Sequence, residues 1–137
     1  MIDFGVIKSI REKIVNKVKE SEYSSCNLSI GRWSPEKLDG PFIHYDIDEI
    51  WNNLSSLNNS VGKVCLSISL MDDKSNNTRF LGINDLLKNS LDGSSLALLG
   101  EKIGCIKLMG SVRCGKANQT FLKSTHSFEV IVFSQDK

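Results

Sequence analysis

Long apolar runs are missing from this chain of 137 residues. No stretch could span a bilayer, and the opening MIDFGVIKSIREK holds no apolar core of signal-peptide length. The expectation is a protein that stays, or is assembled, in a cytosol, with no membrane partner. A surplus of charge is missing too: 17 Lys and Arg stand against 16 Asp and Glu, a formal net of +1. Dedicated nucleic-acid binders usually show a strong basic excess, so that class recedes. There are two histidines, His44 and His126, and four cysteines, Cys26, Cys65, Cys105 and Cys114. None falls at CxxC, HxxH or HExxH spacing, which excludes the common zinc patterns. A Cys–His nucleophile pair lacks an identifiable third group to orient the base. The glycines at 93, 100, 104, 110 and 115 make neither GxGxxG nor a P-loop. Asp72-Asp73 reads as an acidic turn. The chain is therefore read as non-enzymatic, with no catalytic, cofactor-binding or metal-binding residue.

Repeats, low-complexity tracts and linkers are equally absent, so residues 1–137 are read as one domain. At 40% apolar residues it can bury a core without metal or disulfide help. With no secretory signal, free buried thiols are the expected state of the cysteines. Residues 3–20 place Ile7, Ile10, Ile14 and Val18 at helical spacing, with Asp3 as N-cap. Lys8, Arg11, Lys13, Lys17 and Lys19 cover the opposite side and read as a solvated face interrupted by Glu12 and Glu20. Residues 21–41 are irregular, punctuated by two prolines and Asp39-Gly40. Residues 42–47 alternate as a strand. Residues 48–61 read as a polar loop whose Ile50, Trp51, Leu54 and Leu57 could form a short helical turn. Residues 63–71 alternate again, followed by an acidic turn. Phe80, Ile83, Leu87 and Leu91 then mark a helix that stops at Gly93. From Ile106 to Cys114 the period is two, and after a polar hairpin loop a strand carries Phe128, Val130 and Val132 on one face. Its other face holds Glu129, Ile131 and Phe133, which suggests a strand inside a sheet. The predicted class is α+β: a small, mostly antiparallel four-stranded sheet with an N-terminal helix and a central helix packed on one face.

The run from GPFIHYDI through KVCLSISLMDD, NNTRFLGINDLLKNSLDG, LALLGEKIGCIKLMGSVRC and THSFEVIVF resembles the tail-terminator, or tail-completion, proteins of long-tailed phages and gene transfer agents. The shared marks are element order, a helix ending in LDG, a small-residue and Leu turn in SSLALLG, and a last strand reading polar, His, aromatic, Val. The loop at 52–60 is longer and more polar than the family pattern, and the strand 105–114 has one Arg where relatives often have several. The resemblance implies a hexameric ring that caps the tail tube, stops its polymerisation and joins it to the head connector. Partners would be further copies of the chain, the tail tube protein and the head-tail connector protein, with DNA at most passing through the ring. Such a protein would be cytoplasmic during assembly and then part of the particle's tail. A closed ring needs heterologous contacts, for which Met109, Ile131 and Phe133 are candidates unless a helix covers them. Arg113, Lys116 and Lys123 would make a basic hairpin that could line the lumen. The alternative from the residues alone is a small cytosolic protein-binding or adaptor module. A thiol enzyme using Cys114 or Cys65 with His126 is the third reading, and it requires a cysteine of lowered pKa.

Overall fold

The computed structural model describes residues 3–32, 38–52, 60–114 and 121–134. The elements in chain order are α1 (Val6–Lys19), β1 (Ser29–Gly31), β2 (Phe42–Asn52), β3 (Ser60–Asp73), α2 (Asn77–Leu91), β4 (Ser95–Ala97), β5 (Lys102–Cys114) and β6 (Phe121–Ser134). Two single 3-10 turns precede α2 and β5.

In α1 the residues Val6, Ile10, Ile14 and Val18 recur every fourth position and are all buried. This is one stripe of an amphipathic helix. Ile7, expected in that stripe, lies at its flank and is part-exposed. Asp3 caps the helix from outside: its Oδ1 accepts from the Gly5 N–H at 2.9 Å and its Oδ2 from the Ile7 N–H at 3.3 Å. Gly5 is the N-cap, at φ 82, a conformation that disfavours any side chain. A Cβ there would also lie 2.8 Å from Leu99 Cγ. Lys17 and Lys19 occupy the last turn, where the helix dipole favours cations.

The strands form a single sheet in the order β1-β2-β3-β6-β5-β4, with β1 parallel to β2 and all other pairs antiparallel. The sheet is mixed and curls into a half-barrel. This corrects the expectation of four mostly antiparallel strands. The added strands β1 and β4 have three residues each, too few for alternation to show. The first sits in the stretch read as irregular, the second in SSLALLG, read as a turn. Residues 48–61 also differ from expectation. Ile50 and Trp51 belong to β2, and β3 already starts at Ser60. A register shift between Ile47 and Glu49 breaks the alternation at that point. Leu54 and Leu57 lie outside the described residues.

Both helices cover the same sheet face. Ile7, Ile10 and Ile14 of α1 approach Ile43, Tyr45 and Ile68, while α2 reaches His126, the register partner of Ile68. The core combines the α1 stripe with Phe80, Ile83, Leu87 and Leu91 of α2 and with Val64, Leu66, Ile68, Leu70, Ile106, Phe128, Val130 and Val132 of the sheet. Each residue of the LDG sequence has its own structural task. Leu91 is fully buried, Asp92 Oδ1 accepts the Leu108 N–H at 2.9 Å, and Gly93 at φ 77 turns the chain into β4.

A slip within β5 changes which of its side chains face the helices. The pairing with β6 shifts between Leu108 and Gly110, leaving Met109 as the extra residue of a bulge. Before it, Ile106 and Leu108 face the helices. After it, Ser111 and Arg113 do, opposite His126 and Ser124.

Candidate functional site

The sheet face away from the helices is buried at one end, by Phe42, Ser69 and Met71, and part-exposed to exposed along the other among the described residues. The register aligns side chains across it in rows. Trp51, Lys63, Ile131 and Cys105 form one, and Glu49, Cys65, Glu129 and Lys107 the next. Phe133 and Ile103 are partners one row further on. Ile131 and Phe133 thus share this face, half-buried among their neighbours, and neither helix covers them. Met109 is exposed at the bulge, six residues along β5 from Ile103. At the rise of a strand that is about 20 Å away. Cys105, the partner of Ile131, is four residues from Met109, about 13 Å, so Met109 stands at one end of the candidate contact and Phe133 at the other.

The basic hairpin also divides. Arg113 faces the helices and stacks its guanidinium over the Phe80 ring at 5.7 Å. Lys123, paired with Met71 and Cys114, lies on the opposite face. Lys116 is outside the described residues.

β2 carries an acidic cluster that its sequence pattern does not mark. Asp46, Asp48 and Glu49 of β2 are exposed beside Ser67 and Cys65 of β3, and Asp48 Oδ2 accepts from the Ser67 hydroxyl at 2.8 Å. Burial pushes the Cys65 thiol up, and Glu129, Glu49 and Asp48 push the same way while Lys63 opposes. Trp51, 47% exposed, closes this edge. The alternation Glu49, Trp51 would have marked these residues, had a bulge at Asp48 been allowed for. On the other side of the domain α1 presents Lys8, Arg11, Lys17 and Lys19 to solvent. An open space of about 580 Å³ lies against it, bordered among the described residues by Ile7, Lys8, Arg11, Glu12, Val15 and Asn16.

Between α2 and the β5–β6 pair lies a buried polar knot. His126 is 1% exposed. Its Nδ1 meets Ser111 Oγ at 2.8 Å and its Nε2 meets Asn84 Oδ1 at 2.6 Å, with Ser124 Oγ at 3.4 Å. Facing an amide oxygen, Nε2 carries the hydrogen and Nδ1 accepts from the Ser111 hydroxyl. Burial holds this imidazole below its ordinary pKa, and Lys88 lowers it further. A neutral histidine bonded at both nitrogens ties α2 to the sheet. His44 is on the opposite face, in register with Ser69 and Thr125, so the two histidines cannot share a ligand. Cys65 is likewise separated from His126 by the sheet.

The cysteines differ from expectation. Cys26 and Cys65 are only half-buried and Cys105 is exposed, all as free thiols. Burial pushes the Cys26 thiol up as well. Asp72 and Asp73 are not an acid pair. Asp72 is fully buried and bonded by Arg79 through Nε at 2.9 Å and Nη2 at 2.6 Å. Asp73 accepts from the Ser75 N–H and hydroxyl, both at 2.8 Å, and so caps the 3-10 turn. Among the described residues no three His, Cys, Asp or Glu side chains come together as a metal cluster, and no helix is long and apolar enough to cross a membrane.

No family model matches the chain, and no curated protein sequence matches it. Solved structures do. A chain of the virion of a native gene transfer agent particle superposes with a TM-score of 0.66 at 10% identity, covering 96% of this chain and 100% of that one. A second solved chain gives a TM-score of 0.64 at 6% identity over 100% of this chain and 99% of that one. At such identities the likeness is one of fold, and the fold is that of a whole chain from a gene transfer agent virion.

Proposed function

We propose that this protein is a structural component of a phage-like or gene transfer agent particle and serves there as its tail terminator. In that role copies of the chain close into a ring, six-membered by the family resemblance, on the end of the tail tube. The ring stops further addition of tube subunits and offers its other side to the head-tail connector, with DNA passing through the lumen. The chain is made in the cytoplasm and ends in the tail of the particle.

The observation that carries this reading is the end-to-end fold likeness to a gene transfer agent virion chain. The family resemblance of the sequence, carried by the helix ending in LDG and the SSLALLG stretch, points the same way. Half-exposed Ile131 and Phe133 on the helix-free face suit a subunit contact. The chemistry of the site points away from catalysis: the thiols of Cys26 and Cys65 are pushed up, and His126 is committed at both nitrogens inside the fold. Deleting the coding sequence from the producing cell and viewing the products by electron microscopy tests the role. Overlong tubes without heads are expected. Tubes of normal length joined to heads would remove the terminator reading.

A further inference from the structure

We propose that copies of this chain join head to tail by seating the basic outer face of α1 of one copy on the acidic β2 edge of the next copy's helix-free face, with Trp51 as the apolar anchor. The inference rests on the assembly reading above and specifies which two surfaces meet.

Charge is the first argument. The near-neutral total hides a separation: α1 carries Lys8, Arg11, Lys13, Lys17 and Lys19 against Glu12 alone, while β2 carries Asp46, Asp48 and Glu49 and no Lys or Arg. Among the described residues none of these cations or β2 carboxylates forms an ion pair. The two patches lie on opposite sides of the domain, α1 over one sheet face and the β2 carboxylates beside Ser67 and Cys65 on the other. They cannot neutralise each other within one chain. A two-fold dimer would have to satisfy both patches on both copies through a single contact, which opposite faces forbid. Complementary patches on opposite sides instead define a heterologous contact, repeated from copy to copy, which closes into a ring when the rotation per copy divides the full turn.

Shape is the second argument. The outer face of α1 carries apolar ground in Ile7 and Val15 with the cations Lys8 and Arg11 beside it. Trp51 offers an indole nearly half exposed, next but one to Glu49 on the strand. A tryptophan laid on that face buries apolar area and sets its ring against a guanidinium. The flanking carboxylates meet the lysines around it, where they set register and speed encounter.

The test uses the full chain and two charge-reversed variants, Lys8→Glu/Arg11→Glu and Asp46→Lys/Glu49→Lys, each verified as folded by its thermal melt. Sedimentation is followed from micromolar to millimolar concentration at low and high salt. The unaltered chain associates, and salt weakens that association. Each variant alone loses at least about tenfold in association constant, because like charges now face each other. An equimolar mixture of the two variants associates again, since each reversed patch meets its complement on the other variant. Trp51→Ala weakens the unaltered chain and the mixture alike. The contact is overturned if either variant associates as tightly as the unaltered chain, if the mixture stays monomeric, or if the unaltered chain stays monomeric at low salt. A ring indifferent to the reversals removes this contact and leaves the terminator role standing, because that role is decided by tube length in the producing cell.

Discussion

Replacing Arg79 by alanine strands a buried carboxylate. Asp72 has no exposed surface, and it receives Arg79 Nε at 2.9 Å, Arg79 Nη2 at 2.6 Å and the Asp73 N–H at 2.8 Å. Truncation removes the two charge-assisted bonds and leaves a buried anion with a single backbone donor. Breaking one side of a buried pair typically destabilises by about 3–5 kcal/mol. The Arg79 side chain is itself 27% exposed, so water can enter where it stood, and the lower end applies. For a domain of this size, a loss of about 3 kcal/mol lowers Tm by roughly 10 °C. Thermal and urea unfolding of Arg79→Ala measure it. The companion variant Asp72→Ala/Arg79→Ala removes the stranded charge and is expected to be more stable than Arg79→Ala alone. The reasoning fails if Arg79→Ala melts with the unaltered chain, or if the double variant is the weaker of the two.

Three other contacts carry expected outcomes of their own. His126 is held below its ordinary pKa, so the unfolded chain takes up its proton first. Stability should then fall as pH drops from about 6.5 to the depressed native value and level off below it, and His126→Gln should lose that slope in urea melts at stepped pH. Alkylation at neutral pH should modify exposed Cys105 fastest and Cys26 and Cys65 slowly, as mass spectrometry of timed digests would show; preferential labelling of Cys65 would revive the thiol-enzyme reading. At Gly62 a Cβ would lie 2.5 Å from the Phe4 ring and 3.0 Å from the Trp51 carbonyl oxygen. Gly62→Ala is therefore expected to cost about 1–3 kcal/mol in denaturant melts.

Much of this fold is legible where one side of an element is wholly buried. Ile10, Ile14 and Val18 and the series Phe80, Ile83, Leu87 and Leu91 announce both helices, because a buried stripe leaves its period in the sequence. Phe128, Val130 and Val132 face the core while Ile131 and Phe133 leave the reverse face apolar, and β6 does lie inside the sheet. What is not legible is set by pairing. β1 and β4 owe their strand character to the ladders of β2 and β5 rather than to their own three residues. The bulge at Met109 reverses the parity of β5 while the sequence keeps alternating, so Arg113 turns to Phe80 instead of joining Lys123. The slip at Asp48 hides the acidic edge and Trp51 in the same way. The lack of a secretory signal leads to an expectation of free buried thiols, yet the strands that carry Cys65 and Cys105 turn them to the helix-free side.

The most direct measurement is the position of this chain in the assembled particle, found by electron cryomicroscopy of tails carrying a small label on it. A tail terminator gives a single ring of density at the head-proximal end of the tube, with labels at each repeat around the axis. Label spread along the tube, confined to the capsid shell or absent from the particle would contradict that role.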